Sequence, residues 1–312
     1  MKPTSILLSG ATGFLGSHLA EELSLNDFKV IALVRSTSDL SRCNEFKNDN
    51  LVFVNTDLEN HKDLIQKHQP TVFIHSAWSG VSAKGRNDWD IQVENIAMTT
   101  RFLVLAEELN IKKIISFGSQ AEYGNFNGRI KEDAICNPVT AYGAAKLGAL
   151  QVLKSFCELH SVNWFWFRIF SVYGTRENSE WLIPSVIQNT FQNKPMNLTG
   201  CEQRYDYICA NDICKAIMKV LITESESGIF NLSSNSSMRL KEMIEKIRDI
   251  VNPHAVLNFG ALPYRTDQVM HMEGDSSRFN ERFSFHVGSK FEKNIEQIFN
   301  YLKNKNYFLS NT

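Results

Sequence analysis

The chain has 312 residues, 43% apolar and 21% charged, with a formal net charge of −1, values typical of an ordinary globular protein with room for one large α/β domain and a smaller lobe. This charge leaves no basic footprint for nucleic acid, and apolar runs such as IALV at 31–34 and LVFV at 51–54 are far too short to span a bilayer. Six scattered cysteines (Cys43, Cys136, Cys157, Cys201, Cys209, Cys214) form no Cys-x-x-Cys pair, which argues against a zinc site or a disulfide framework. With no leader-like segment before Ile6, a reducing cytoplasm is the expected location, and no metal, nucleic acid or membrane partner is expected.

In chain order, SILLSG at 5–10 reads as a short buried strand and FLGSHLAEELSL at 14–25 as a helix. KVIALV at 29–34, LVFVN at 51–55 and TVFIHSA at 71–77 read as further strands, each followed by helix-like or loop segments. A helix from Trp89 to Leu109, a fifth strand KKIISFG, a long helix from Ala141 to Leu159 and a sixth strand WFWFRIF come next. This βαβα order predicts an α/β protein, a doubly wound parallel sheet of the Rossmann type with helices on both faces. After Gly174 the pattern loosens: WLIPSVIQNTF and NDICKAIMKVLI look helical between short strand-like pieces, and helices near 239–251 and 291–301 close the chain.

The glycine pattern G-A-T-G-F-L-G places Gly10, Gly13 and Gly16 between the first strand and the first helix. In that context Gly10 allows the tight turn, Gly13 lets a pyrophosphate approach the backbone, and Gly16 lets the helix pack on the strand. Residues 1–174 therefore read as an NAD(P)-binding domain. Residues 175–312 read as mainly a smaller, interleaved substrate-binding lobe, with some segments returning to the first domain. The second strand ends Leu33-Val34-Arg35-Ser36, with no carboxylate until Asp39. An NAD site places an acid there, whereas Arg35 can grip a 2′-phosphate; NADP(H) is favoured and NAD(H) stays open.

Tyr142 and Lys146 in AYGAAK lie four apart on a predicted helix and share a face. A phenol titrates near pH 10, and a neighbouring ammonium stabilises its phenolate, bringing the tyrosine within reach of acid/base work. Ser119, at the end of the fifth strand, supplies a hydrogen bond to a substrate oxygen where charge gathers.

With these motifs the chain resembles the extended short-chain dehydrogenase/reductase family, specifically its nucleotide-sugar branch. The resemblance adds Thr12, Phe14 and Leu15 of the glycine loop, Asp57 and Leu58 in NTDLEN, Ala77 in FIHSAW and Asn95 to the implied cofactor contacts. RIFSVYG at 168–174 matches a segment that typically reads R-x-x-N-V-Y-G, with Ser171 in place of the Asn, and EQRYDYICANDI carries Tyr205 where many members keep an Arg. The implied substrate is a nucleotide-diphosphate sugar. Trp78, Tyr173 and Trp181 are expected to wall the sugar, Gln120 and Arg168 to contact it, and Arg265 to hold its diphosphate. Family members usually dimerise through the helices that here span 89–109 and 141–159, so a homodimer is expected.

Family dehydratases typically carry Asp-Glu after the Ser/Thr, and other branch members a Glu or Cys; this chain has Gln120 and Ala121 there. Glu122, one step along, reads as structural. That leaves chemistry done by the triad and cofactor alone. It is either reduction of the 4-keto group of a nucleotide-linked 4-keto-6-deoxyhexose by NADPH, toward a 6-deoxyhexose for surface polysaccharide, or 4-epimerisation with tightly bound NAD. A non-catalytic NADPH sensor is the reading from another class.

Overall fold

Apolar runs of four to seven residues become buried strands, and segments with a 3.6-residue apolar period become the helices that cover them. The computed structural model describes residues 5–265 and 268–305. Its strands are β1 (Ser5–Ser9), β2 (Lys29–Val34), β3 (Leu51–Asn55), β4 (Val72–His75), β5 (Lys113–Ser119), β6 (Gly128–Ile130), β7 (Asn163–Ile169), β8 (Ser171–Tyr173), β9 (Met196–Asn197), β10 (Arg204–Cys209), β11 (Gly228–Leu232), β12 (Ser237–Arg239), β13 (Leu257–Asn258) and β14 (His271–Gly274). Its α-helices are α1 (Phe14–Leu25), α2 (His61–Gln66), α3 (Trp89–Glu108), α4 (Ala141–Leu159), α5 (Leu182–Phe191), α6 (Ala210–Ile222), α7 (Leu240–Val251), α8 (Ser277–Phe283) and α9 (Phe291–Asn304).

Seven parallel strands form the main sheet in the order β11-β7-β5-β4-β1-β2-β3. Alternation along β1 sends Ile6 and Leu8 to one core, with Leu19 and Leu23 of α1 and Ile213 and Ile217 of α6. Leu7 goes to the other, with Leu103 of α3 and Leu150 and Leu153 of α4. Strand order reverses between β1 and β4, and a doubly wound sheet opens its ligand crevice at the carboxyl ends of the strands there. Gly10, Ala77, Ser119 and Arg35 all follow or end these strands.

A smaller sheet pairs β10 with β8, β12 and β14, and β14 with β6. Its neighbouring helices enclose a third core of Ile183, Val186, Met243, Ile244, Ile247, Ile295 and Ile298. The spacing of Leu240, Met243, Ile244 and Ile247 is that of one buried face of α7. Elements beyond the sequence reading include the seventh strand of the main sheet, β11, which carries GIFNL to the sheet edge, the six-residue α2, and α8, whose Phe279 and Phe283 join the first core.

Candidate active site

Gly10 has φ +74°, and a Cβ on it would come within 2.5 Å of the Ala77 backbone nitrogen, so the glycine loop lies directly on the segment leaving β4. A Cβ on Gly16 would meet the Gly10 carbonyl oxygen at 2.0 Å, which fixes how closely α1 approaches β1. Gly13 is different: it is exposed, and its Cβ would meet only the Gly10 oxygen, at 3.2 Å. Helix α1 starts at Gly13 with no side-chain cap and no acid in its first turn, leaving its first N–H groups available to an anion. Thr12, Phe14 and Leu15 are half-buried around that turn. Arg42, which the sequence reading missed, donates to the Thr12 carbonyl at 3.3 Å and to the Arg176 carbonyl at 3.0 Å. These residues form a cradle that fits a dinucleotide pyrophosphate.

Arg35 is exposed at the end of β2. Asp57 and Leu58 are exposed beyond β3. The Asp57 carboxylate accepts from the Ser36 hydroxyl at 2.6 Å and the Ser36 N–H at 2.7 Å, and these bonds hold its pKa below the usual range.

Below the crevice, His75 is buried and bridges Ser9 Oγ (2.7 Å) and Thr99 Oγ1 (3.1 Å). Thr99 donates onward to the Asn95 carbonyl at 2.8 Å, so its oxygen accepts from His75 Nε2–H and Ser9 donates to Nδ1. Burial pushes His75 down to about 3 and keeps it neutral. Asn95, expected to touch the cofactor, is instead 2% exposed. Its amide accepts from the Ser79 N–H at 2.8 Å and donates to the Ser79 carbonyl at 3.0 Å. It acts by fixing the backbone that follows Ala77.

Ser119 ends β5 and caps a 3-10 turn of Gln120–Tyr123. Glu122 in that turn is fully buried and accepts from Ser119 N–H at 2.8 Å, Trp166 Nε1 at 3.0 Å and Arg168 Nε at 2.8 Å. Arg168 also donates to the Glu132 carbonyl at 3.1 Å and lies 4.5 Å from the Tyr123 ring centroid. Two expected substrate contacts are corrected here. Arg168 is 3% exposed and spent on this ion pair, because a buried guanidinium needs its compensating carboxylate. Tyr173 packs in the third core, where its hydroxyl accepts from Asn294 at 2.8 Å.

Helix α4 begins at Thr140, whose hydroxyl accepts from Gly143 N–H at 3.1 Å. A Cβ on Gly143 would stand 2.4 Å from the Ala121 carbonyl oxygen, so this glycine lets α4 touch the turn that carries Ser119. The Ser119 hydroxyl is consequently brought beside the Tyr142 phenol, where it favours the phenolate. Tyr142 is 8% exposed, and burial raises its pKa above the ordinary tyrosine value, against the lowering expected from Lys146. Lys146 donates to the Phe117 carbonyl at 2.6 Å and lies 3.6 Å from the Trp78 ring centroid; burial pushes it down to about 7. Trp78 meets Tyr142 edge-on at 6.2 Å and donates to Gln92 at 2.9 Å. Arg86, also missed, stacks between Tyr142 and Trp181, 5.1 and 5.9 Å from their ring centroids.

Trp181 is thus brought to Tyr142, and half-buried Gln120 follows Ser119. Arg265 is exposed in the segment after β13 and acts electrostatically on Tyr205, whose hydroxyl donates to the Val269 carbonyl at 2.9 Å. Among the described residues, no helix is long and apolar enough to cross a membrane.

The chain is similar to proteins of known sequence and structure along most of its length. A CDP-abequose synthase of Salmonella muenchen is 27% identical over 94% of this chain and 96% of its own. A dTDP-6-deoxy-L-talose 4-dehydrogenase (NAD(+)) of Aggregatibacter actinomycetemcomitans is 28% identical over 78% of this chain and 88% of its own. The solved UDP-N-acetylglucosamine 4-epimerase of Methanobrevibacter ruminantium M1, in complex with UDP-N-acetylmuramic acid, superposes with a TM-score of 0.87 at 25% identity, covering 98% of this chain and 100% of that one. The sequence profile of the NAD dependent epimerase/dehydratase family matches residues 6–233, and the chain belongs to that family.

Proposed function

We propose that this protein reduces the 4-keto group of a nucleotide-linked 4-keto-6-deoxyhexose with NADPH. The observation that carries the reading is the Ser119 hydroxyl beside the Tyr142 phenol, next to a carboxylate, Glu122, that Arg168 and Trp166 hold out of reach of a substrate. A site with two hydroxyl donors and no free acid can handle one proton on one oxygen, and lacks the second acid/base group that eliminating water requires.

The α1 N-terminus and Gly13 would hold the cofactor pyrophosphate, Arg35 its 2′-phosphate, Asp57 and Leu58 its adenine, and Lys146 the nicotinamide ribose. When bound, the nicotinamide supplies the hydride. Ser119 donates a hydrogen bond to the C4 oxygen, and Tyr142 gives that oxygen its proton as charge develops on it. Trp78 and Trp181 wall the sugar, with Gln120 beside it, and Arg265 meets the diphosphate. The relatives named for CDP-abequose and dTDP-6-deoxy-L-talose support this substrate class. Exposed Trp89, Val93 and Val104 on α3 support a homodimer through α3 and α4.

The second reading is a nucleotide-sugar 4-epimerase with retained NAD, favoured by the likeness to the Methanobrevibacter enzyme. Purified protein offered CDP-, dTDP- and GDP-4-keto-6-deoxyhexoses should oxidise NADPH stoichiometrically with one of them. Stoichiometric NAD in the isolated protein, with inversion of a UDP-hexose and no response to keto-sugars, would establish the epimerase instead.

A further inference from the structure

The glycine loop is closed on its carbonyl side. The Gly10 oxygen accepts from Gly13 N–H at 3.0 Å, and the Gly13 oxygen accepts from Ser17 N–H at 3.0 Å as the chain enters α1. The two carbonyls between them are met by consecutive residues of the β2–β3 segment. Cys43 Sγ donates to the Ala11 oxygen and Arg42 Nη1 to the Thr12 oxygen, both at 3.3 Å. With these carbonyls engaged, the loop offers a ligand the uncapped N–H groups at the start of α1.

Arg42 does more than brace the loop, because it brings a charge. It is half-buried, and a guanidinium withdrawn from water needs a counter-charge. Arg168 and Arg176, both buried, find theirs in Glu122 and Glu21. Arg42 meets carbonyls instead: that of Thr12, and through Nε at 3.0 Å that of Arg176 in the segment leaving β8. The acids that flank it in sequence are engaged elsewhere. Asp39 accepts from Ser41 N–H and Oγ, both at 2.9 Å, and acts on Arg42 only at a distance. Glu45 accepts from the Tyr301 hydroxyl at 2.9 Å and pairs with Lys305 at 3.1 Å. A guanidinium bonded to the glycine loop thus keeps its charge uncompensated, beside helix N–H groups that also favour an anion.

We propose that Arg42 is the counter-charge to the cofactor pyrophosphate, carried to the glycine loop from the β2–β3 segment. This role rests on the pyrophosphate seat proposed above at the α1 N-terminus. Arg35 and Arg42 then divide the cofactor: Arg35, at the end of β2, serves a 2′-phosphate, and Arg42 serves the phosphates that NADPH and NADH share. The test is calorimetric titration of NADPH and of NADH into wild type, Arg42→Gln, Arg42→Lys, Arg35→Gln and Gly13→Ala, at low and high salt. Arg42→Gln should weaken both dinucleotides by the same factor, about tenfold, and flatten the salt dependence of binding. Arg42→Lys should recover most of the loss, and Arg35→Gln should weaken NADPH alone. Affinities of Arg42→Gln within about twofold of wild type, a loss confined to NADPH, or a loss that keeps the wild-type salt dependence would each overturn the proposal. If Gly13→Ala weakens binding while Arg42→Gln does not, Arg42 alone is misassigned; a wild type that binds neither dinucleotide would overturn the pyrophosphate seat itself. No keto-sugar enters the titration, so the choice between reductase and epimerase is read separately.

Discussion

Glu122 is a carboxylate inside a site whose proposed chemistry uses none. Its two oxygens are spent on Ser119 N–H, Trp166 and Arg168, so it orients the serine and neutralises a guanidinium. Removing one partner of a buried ion pair strands the other. Glu122→Ala should cost about 3–5 kcal/mol of stability in denaturant unfolding; a loss below about 1 kcal/mol would mean that solvent reaches Arg168. Tyr142→Phe leaves the packing and removes the proton, so kcat should fall about 10²–10⁴-fold with NADPH affinity retained. A variant within about threefold of wild type would move the acid elsewhere. Tyr142, Lys146 and Ser119 stand out in the sequence because helix spacing and a strand end fix their relation locally. Arg86 does not, since an arginine in a loop gives no local sign of which ring it will meet. The Glu122–Arg168 pair joins positions 46 apart, and the Tyr173–Asn294 bond positions 121 apart. Only the folded chain distinguishes such partners from sugar contacts.

The first strand, loop and helix divide their work among three glycines, and substitutions should separate it. Gly16→Ala drives a methyl into the Gly10 carbonyl, where no side chain can yield, so it should destabilise the fold by about 1–3 kcal/mol. Gly13→Ala meets only the Gly10 oxygen, at 3.2 Å, so it should cost far less stability than Gly16→Ala while weakening dinucleotide binding about tenfold, as loss of roughly 1.4 kcal/mol implies. Calorimetry with NADPH titration checks both, and equal stability losses would contradict the division. The elements themselves were largely legible. Helices α1 and α4 occupy 14–25 and 141–159 as their patterns predict, because apolar periodicity and abrupt glycine or polar boundaries agree there. Short α2 and α8 escaped because six or seven residues hold too few turns to show a period. Strand β11 escaped because its short apolar run gains meaning only beside β7.

Across the whole molecule, two buried neutral histidines make acid the predicted weakness. Burial lowers His18 to about 4, helped by Arg176, and lowers His75 to about 3, whereas an unfolded histidine titrates near 6.5. The unfolded chain therefore takes up these protons first. The stabilisation is complete above about pH 6.5 and is lost as pH falls toward 4 and below, by several kcal/mol in all. Unfolding free energies measured across that window should fall, and His18→Gln and His75→Gln should each flatten the slope. Unchanged slopes would place the acid sensitivity in the carboxylates. At the same scale, sedimentation should give a dimer, and Val93→Glu with Val104→Glu should give monomers; a monomeric wild type would refute the α3–α4 interface.

On the proposed reading, Ser119 and Tyr142 serve a net reduction at C4. That reading is tested most directly by supplying NADPH deuterated at the transferred position together with the keto-sugar that the protein consumes, and reading the product by NMR. Deuterium should appear on C4 of a 6-deoxyhexose, one per NADPH oxidised, and Tyr142→Phe should form that product about 10²–10⁴-fold more slowly. A C4-inverted sugar formed without label and without net NADPH consumption would contradict it.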